Sequence, residues 1–291
     1  MYANYFIIDN DFLSFVPLRD KERVADYAYA IYKECLRKGS RPLSKEDYFT
    51  SKKTRYPVLF FYCPKCQASW FFPSFGFKSA QGLKYCPHCG EPSIDHRFNE
   101  GMKKVTNLLQ LSIDVSKTDP SRSKELNQCI ITSLCSVYEV YLREFYADIL
   151  NAKYVRQGRS LYHKFLKDCK NDFLNPGKTN DRLKKEIDVN YKNTVGTEAY
   201  KTLSLLSDYR NVIVHNNGIC DAPFLKQHPD VEPHSQIKPS VGTVASFMRI
   251  VLKSVIKMND VYEKELCNVA GTVATEYVIA KTDNSEASSK M

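Results

Sequence analysis

The chain has 291 residues, of which 43% are hydrophobic, so it is long enough for one large domain or two modest ones. A chain of this length and hydrophobic content can bury a core large enough to fold without disulfide bridges. Its 42 Lys and Arg against 33 Asp and Glu give a net charge of +9, which suits a polyanionic partner but is also common among unrelated proteins. The most apolar long segment, residues 244–258, contains Arg249, Lys253 and Lys257, which excludes a lipid-facing membrane helix there.

The N-terminal sequence carries no recognisable targeting signal. The apolar run at residues 5–8 has no basic leader and is followed at once by Asp9, so we expect no signal peptide. We therefore expect a cytoplasmic protein without membrane contact. In that compartment the ten cysteines are expected to be thiols or metal ligands and not disulfides.

The first two predicted segments differ in character. Residues 1–55 form an N-terminal extension with one predicted helix over about 21–38, which Gly39 ends and Pro42 prevents from resuming. Residues 56–97 contain aromatic and β-branched runs broken by Pro and Gly, and this pattern predicts short strands around two cysteine pairs.

The pattern is helical over residues 98–275. Apolar residues at intervals of three and four predict long helices over 124–150 and 243–266. Shorter helices are predicted over 100–116, 160–174 and 180–188, with a break at 175–177, and a further helix follows from Glu198. Residues 221–239 contain four prolines and are predicted to form a long surface connection, with Ser240 as a possible N-cap. The polar residues 276–291 are predicted to be a disordered tail.

Four cysteines form two tight pairs, Cys63 with Cys66 and Cys86 with Cys89, separated by nineteen residues. This spacing predicts a tetrahedral four-thiolate zinc site, and Gly90 permits the sharp turn after the second pair. A redox dithiol is less favoured without a thioredoxin-like setting, while iron in the same cage is chemically possible. Four thiolates leave no position for water, so the zinc is expected to be structural.

The cysteine segment resembles the zinc ribbons found in many nucleic-acid enzymes, over about residues 62–92. Its aromatic residues can stack on bases, but a ribbon this small needs most of them for packing. The other cysteines lie apart from these pairs and are interpreted as small core hydrophobes. They are Cys35, Cys129, Cys135, Cys169, Cys220 and Cys267.

A second candidate site lies near the end of the helix that starts at Glu198. Arg210 continues an apolar stripe of that helix, so its guanidinium needs an anionic or hydrogen-bonding partner. His215 follows five residues later, beside Asn216 and the glycine-containing helix end, where both side chains can flank one phosphate. Alternatively, a buried arginine pins helices together and a terminal histidine caps carbonyl groups.

The segment that contains both residues reads RNVIVHNNG and resembles the Arg-x4-His signature of HEPN domains, including the Asn directly after the Arg. The resemblance covers about residues 98–270, although the connection at 219–239 is longer than a compact HEPN core requires. It implies a mainly α fold, a helical HEPN-like bundle preceded by a small β zinc ribbon. It also implies a homodimer with Arg210 and His215 of both copies in one cleft, supported by Asn211.

Active HEPN members cut RNA without a metal ion, so the resemblance implies that no catalytic metal is used. In such a reaction an imidazole moves a proton, a guanidinium stabilises the phosphorane charge, and the products carry 2′,3′-cyclic phosphates.

Glu139 is a possible partner of Arg210, but pairing with Arg143 four residues later is ranked first. A basic run that also includes His163 and Lys170 is a candidate RNA path or, equally, a solvated helix face. Its main residues are Lys153, Arg156, Arg159, Lys164 and Lys167.

Two functional hypotheses follow from the residues and the resemblance. The first is a metal-independent endoribonuclease, a toxin or antiviral defence effector with RNA as its substrate and a protein inhibitor or defence partner. The second is a non-catalytic module in which the HEPN domain and the zinc ribbon bind RNA, a nucleotide or a protein.

Overall fold

The computed structural model describes residues 2–6, 21–34, 41–50, 58–73, 84–154 and 161–289. These residues are mainly helical, as the sequence predicts. The chain divides into two compact units. The cysteine unit comprises Met1–Pro92, Arg156–Arg159 and Glu263–Met291, and the helical unit comprises Ser93–Val155 and Ser160–Tyr262.

Three short strands in the cysteine unit form one antiparallel sheet. Strand β2 (Val58–Tyr62) lies between β1 (Tyr2–Phe6) and β3 (Ser69–Pro73). Tyr62 is opposite Tyr2 on one side and Ser69 on the other. A third strand covers an edge that an isolated hairpin leaves open. The N-terminal extension thus contributes a strand, which the sequence did not predict, to the sheet beside the first cysteine pair.

Two helices of the cysteine unit pack through tyrosines. Helix α1 (Lys21–Glu34) is followed by α2 (Lys45–Thr50). The rings of Tyr32 and Tyr48 stack with centroids 4.5 Å apart, and both side chains are buried. The predicted end of the first helix, at residues 35–38, lies outside the described residues.

Helix termini in the helical unit are set by side-chain caps. Ser93 accepts a hydrogen bond from the His96 amide, so the first helix begins before residue 100, where periodicity alone places it. Asn175 accepts from the Lys178 amide and Pro176 occupies the first turn, so this predicted break is a helix start. The elements are α3 (Ile94–Ser116), α4 (Pro120–Tyr154), α5 (Tyr162–Asp168), a 3-10 turn (Asp172–Leu174), α6 (Pro176–Ile187), α7 (Tyr191–Val195), α8 (Thr197–Asn216), α9 (Ala222–Gln227) and α10 (Val241–Ser289).

The last helix includes residues 276–289 of the segment that the sequence predicts to be a disordered tail. Helix α10 continues to Ser289, although its final residues are polar. No proline occurs between residues 241 and 289, so nothing in the covalent chain forces the helix to stop earlier. At its other end, the Ser240 hydroxyl accepts a hydrogen bond from the Thr243 amide, as expected for the N-cap.

Helix α4 forms the core of the helical unit. Nearly every side chain between Tyr141 and Ala152 is buried, including two carboxylates. Glu144 pairs with Arg97 at 2.6 Å, and Asp148 accepts a hydrogen bond from the Tyr262 hydroxyl at 2.6 Å. Buried charge is tolerated where such partners exist. The two contacts tie α3 and α10 to the central helix.

The connection between α8 and α10 is largely exposed, as predicted for a surface connection, but a few buried side chains anchor it to the helical unit. Its short helix α9 contributes Phe224 to a buried cluster with Val212, Cys220 and Ile237. Burial of these apolar side chains stabilises the segment despite its four prolines. Because periodicity is absent from the segment, the sequence alone did not indicate this packing.

Three of the scattered cysteines are buried as expected, namely Cys135, Cys169 and Cys220. Cys129 is exposed, so its interpretation as a core residue is wrong. Cys35 lies outside the described residues, as does the side chain of Cys267. Small apolar thiols fill the core where their helix face is covered, and position 129 lies on an uncovered face of α4.

Asn127→Ala should lower the free energy of unfolding by about 2 kcal/mol, because two buried hydrogen bonds are lost. The Asn127 amide donates to the Pro239 carbonyl at 2.9 Å and accepts from the Ser112 hydroxyl at 2.7 Å. The control is Asn107→Ala, at an exposed position of α3, with an expected change below about 0.5 kcal/mol. Equal denaturation midpoints for the two variants would contradict this account.

Candidate functional site

The Arg210 and His215 side chains meet at the C-terminal end of α8. Arg210 Nη1 lies 3.4 Å from His215 Nε2 and 3.2 Å from Asn211 Oδ1. Five residues separate Arg210 and His215, so the long guanidinium arm must reach along the helix to make both contacts. Arg210 is half-buried, whereas Asn211 and His215 are exposed. The structure thus brings together all three residues predicted for this site.

The contact between Arg210 and His215 restricts the imidazole. A guanidinium can only donate hydrogen bonds, so Nε2 must present a lone pair to it. A ring with its proton on Nδ1 is the form that can accept a hydrogen bond from Arg210 in this geometry. A neutral ring with a lone pair is the form that accepts a proton.

Arg210 keeps its charge available to a ligand. Within the described residues, no carboxylate oxygen lies within 4.0 Å of its guanidinium nitrogens. Glu139 on α4 interacts electrostatically with Arg210 but lies 3.7 Å from Arg143. Burial raises the pKa of Glu139, and Arg143 followed by Arg210 act to lower it. Glu139 thus pairs with Arg143, as ranked from the sequence, but the pair is partly buried and not fully on the surface.

The end of α8 is held by its backbone and by α4. Asn217 and Gly218 adopt left-handed conformations with φ of 51° and 81°, which closes the helix directly after the site. A Cβ atom on Gly218 would lie 2.9 Å from Gln128 Nε2, which itself donates to the Ile237 carbonyl at 2.8 Å. The positive φ and this close approach both favour glycine at position 218.

The basic run is only partly described. Lys164 and Lys167 are exposed and three residues apart on α5, so they share one face of that helix. Lys153 is half-buried at the end of α4. Arg156 and Arg159 lie outside the described residues. The structure therefore brings together two of the five residues that were predicted to form an RNA path.

Sequence reasoning missed one polar pair beside this site. His228, which follows α9, lies with Nε2 3.1 Å from Asp208 Oδ2 on α8. Burial raises the pKa of Asp208, while the hydrogen bond from His228 opposes that rise. Twenty residues separate the two side chains, and no local pattern in the sequence signals their contact.

The two cysteine pairs converge in the cysteine unit. The four sulfur atoms of Cys63, Cys66, Cys86 and Cys89 all lie within 4.8 Å of one another. Two of the Sγ–Sγ distances are 3.9 Å (Cys63 to Cys89) and 3.8 Å (Cys66 to Cys86). Four sulfurs around an ion at about 2.3 Å are about 3.8 Å apart in a tetrahedron, whereas a disulfide needs about 2.05 Å. The cluster can therefore hold a metal ion.

Both cysteine turns have the same backbone form. The Gln67 amide donates to the Cys63 carbonyl at 2.7 Å, and the Gly90 amide donates to the Cys86 carbonyl at 2.8 Å. Gln67 and Gly90 both have positive φ, 62° and 75°. The first turn thus adopts the geometry that glycine favours without having a glycine.

The pKa values of the clustered cysteine thiols indicate that the four thiolates need a bound cation. Burial raises the pKa of Cys63 strongly and that of Cys66 to about 11. Burial also acts against ionisation of Cys86, but backbone amides of Cys89 and His88 lower its pKa overall. Four neighbouring thiolates repel one another, so full ionisation requires a positive charge among them.

No family model matches the chain, and comparison with curated proteins and with solved structures found no match. Among the residues that the structure describes, no helix combines the length and apolar character needed to cross a membrane. The function of the chain must therefore be inferred from its own residues.

The purified protein should contain one metal ion per chain, and Cys86→Ser combined with Cys89→Ser should remove it, because two ligands are lost. Elemental analysis by mass spectrometry measures this directly. The control is Cys129→Ser, an exposed cysteine of the helical unit, which should leave the metal content unchanged. A folded wild-type protein without metal, or a double variant that retains it, would show that the cluster is not a metal site.

Proposed function

We propose that this chain is a metal-independent endoribonuclease of the HEPN type, with Arg210 and His215 as its catalytic residues and Asn211 in support. One observation carries the proposal: a guanidinium without a carboxylate partner and an exposed imidazole meet at 3.4 Å on one helix end, within the described part of the chain. This arrangement offers both a positive charge and a proton acceptor to one phosphate.

RNA supplies its own nucleophile, so two side-chain functions suffice. The imidazole of His215 takes the proton of the ribose 2′-hydroxyl while that oxygen bonds to phosphorus. The bond from phosphorus to the 5′-oxygen then breaks, and that oxygen takes a proton from an imidazolium. Arg210 stabilises the extra negative charge of the phosphorane. The products are a 2′,3′-cyclic phosphate and a 5′-hydroxyl.

A homodimer supplies the second imidazole that this proton balance uses. The resemblance to HEPN domains implies that two copies of Arg210 and His215 share one cleft. Val214, directly before His215, is 44% exposed. Burial of Val214 at a symmetric contact is consistent with the proposed dimer.

The remaining parts of the proposal concern the metal and the biological setting. We propose that the four cysteines hold zinc in a structural ribbon, because a closed thiolate shell leaves no position for substrate. Iron in that shell would colour the protein, which zinc does not. From the resemblance alone, we place the enzyme in the cytoplasm as a toxin or antiviral defence effector, with a protein inhibitor or defence partner.

RNA should be cut in the presence of EDTA, and Arg210→Ala or His215→Ala should each slow cutting by about 100-fold or more. Side chains that move protons and stabilise charge need no added metal. The measurement is the cleavage rate of a labelled single-stranded RNA, with circular dichroism to verify the fold.

The control for these variants is Arg249→Ala, which removes an exposed arginine from α10 and should leave the rate unchanged. Folded Arg210 and His215 variants that cut at the wild-type rate would refute the assignment. A wild-type protein that binds RNA and never cuts it would favour the non-catalytic binding module.

The protein should be a dimer at micromolar concentration, and Val214→Glu should shift it towards monomer and slow RNA cleavage. A buried, unpaired carboxylate at the contact opposes association. Light scattering measures the mass. Leu111→Glu is the control, since Leu111 is 50% exposed on α3 and away from the α8 helix end in sequence. A wild-type monomer would remove the shared cleft from the mechanism.

A further inference from the structure

The proposed mechanism does not use the polar pair formed by Asp208 and His228. His228 Nε2 lies 3.1 Å from Asp208 Oδ2, and the side chains are 24% and 20% exposed. The ring of His228 also packs on Phe224, with centroids 4.4 Å apart. Two contacts from different elements therefore hold the imidazole in one orientation.

Asp208 lies on the same face of α8 as Asn211 and His215, whereas Arg210 projects from the other side of the helix. Asp208 precedes Asn211 by three positions and His215 by seven, which places the three within about 60° of one another around the helix axis. Along the axis, Asp208 and His215 are about 10 Å apart. A nucleic-acid strand rises about 3.4 Å per stacked nucleotide, so this distance covers about three nucleotides.

The pairing with Asp208 determines what His228 offers to a ligand. An ionised carboxylate only accepts hydrogen bonds, so Nε2 carries the proton. In the neutral ring, Nδ1 is then an acceptor. Among the described residues, no group donates a hydrogen bond to Nδ1. Phosphate oxygens are acceptors and cannot satisfy it, whereas the ribose 2′-hydroxyl of every RNA nucleotide is a donor.

We propose that His228, held by Asp208, accepts a hydrogen bond from the 2′-hydroxyl of a nucleotide about three positions from the cut and so selects RNA over DNA. The bound strand runs along α8 from His215 towards Asp208. This inference rests on the proposed function, since it assumes that RNA lies on this face. His228 is a specificity residue here and takes no part in bond cleavage.

Binding is measured with a single-stranded RNA and a DNA of the same base sequence, with uracil in both, so that only the 2′-hydroxyls differ. The parent protein is His215→Ala, which prevents cutting during the measurement. It should bind RNA about fivefold more tightly than DNA, the effect of one net hydrogen bond. Addition of His228→Ala should bring this ratio close to one.

The ratio of RNA affinity to DNA affinity is the readout, because a change in the net charge of the protein affects binding of RNA and of DNA alike. His228→Phe is a second variant that keeps a ring against Phe224 and should also abolish the preference. The control is His234→Asn, since His234 is exposed in the same connection and has a φ of 58°, which Asn tolerates. This variant should retain the preference.

Equal binding of RNA and DNA by the parent, or a preference that survives both His228 variants, would overturn the inference. The cleavage assay on the wild type separates this failure from failure of the proposed function. If RNA is cut but the preference does not depend on His228, only the specificity role is lost. If the wild type does not cut RNA and the parent binds neither strand, both proposals fail.

Discussion

The burial of helix α4 is the constraint on which the helical unit depends. From Tyr141 to Ala152 it is covered on almost every side, so neighbouring helices must pack around it. Its buried carboxylates require partners, and Arg97 and Tyr262 provide them from α3 and α10. The same helix also holds the segment after α8, because the Gln128 side-chain amide donates a hydrogen bond to the Ile237 carbonyl.

This packing explains why one end of α8 is both anchored and accessible. Leu203 and Leu206 are buried, and Arg210 continues that side with its guanidinium half-covered. His215 lies beyond the covered turns and is exposed. The arginine can therefore be positioned by the core while the imidazole remains open to a ligand. A site with one anchored and one accessible group is well suited to stabilise charge and transfer a proton at one phosphate.

Local patterns in the sequence predict the parts of the structure that depend on neighbouring residues. Apolar spacing predicts the long helices, and the cysteine spacing predicts the sulfur cluster. Contacts between distant residues are absent from such patterns. Tyr2 pairs with Tyr62 in the sheet, and Asp208 meets His228 across the α8–α9 connection. Asn175 and Pro176 can end one helix or begin another, and only packing decides between these alternatives.

The chemical form of the RNA ends after cleavage tests the central claim most directly. If His215 and Arg210 promote attack by the RNA's own 2′-hydroxyl, mass spectrometry of the fragments will show 2′,3′-cyclic phosphate and 5′-hydroxyl ends. Replacement of the nucleotide before the cut by its 2′-deoxy form should then prevent cleavage there. Fragments with 3′-hydroxyl and 5′-phosphate ends would mean that water is the nucleophile, and they would contradict the mechanism.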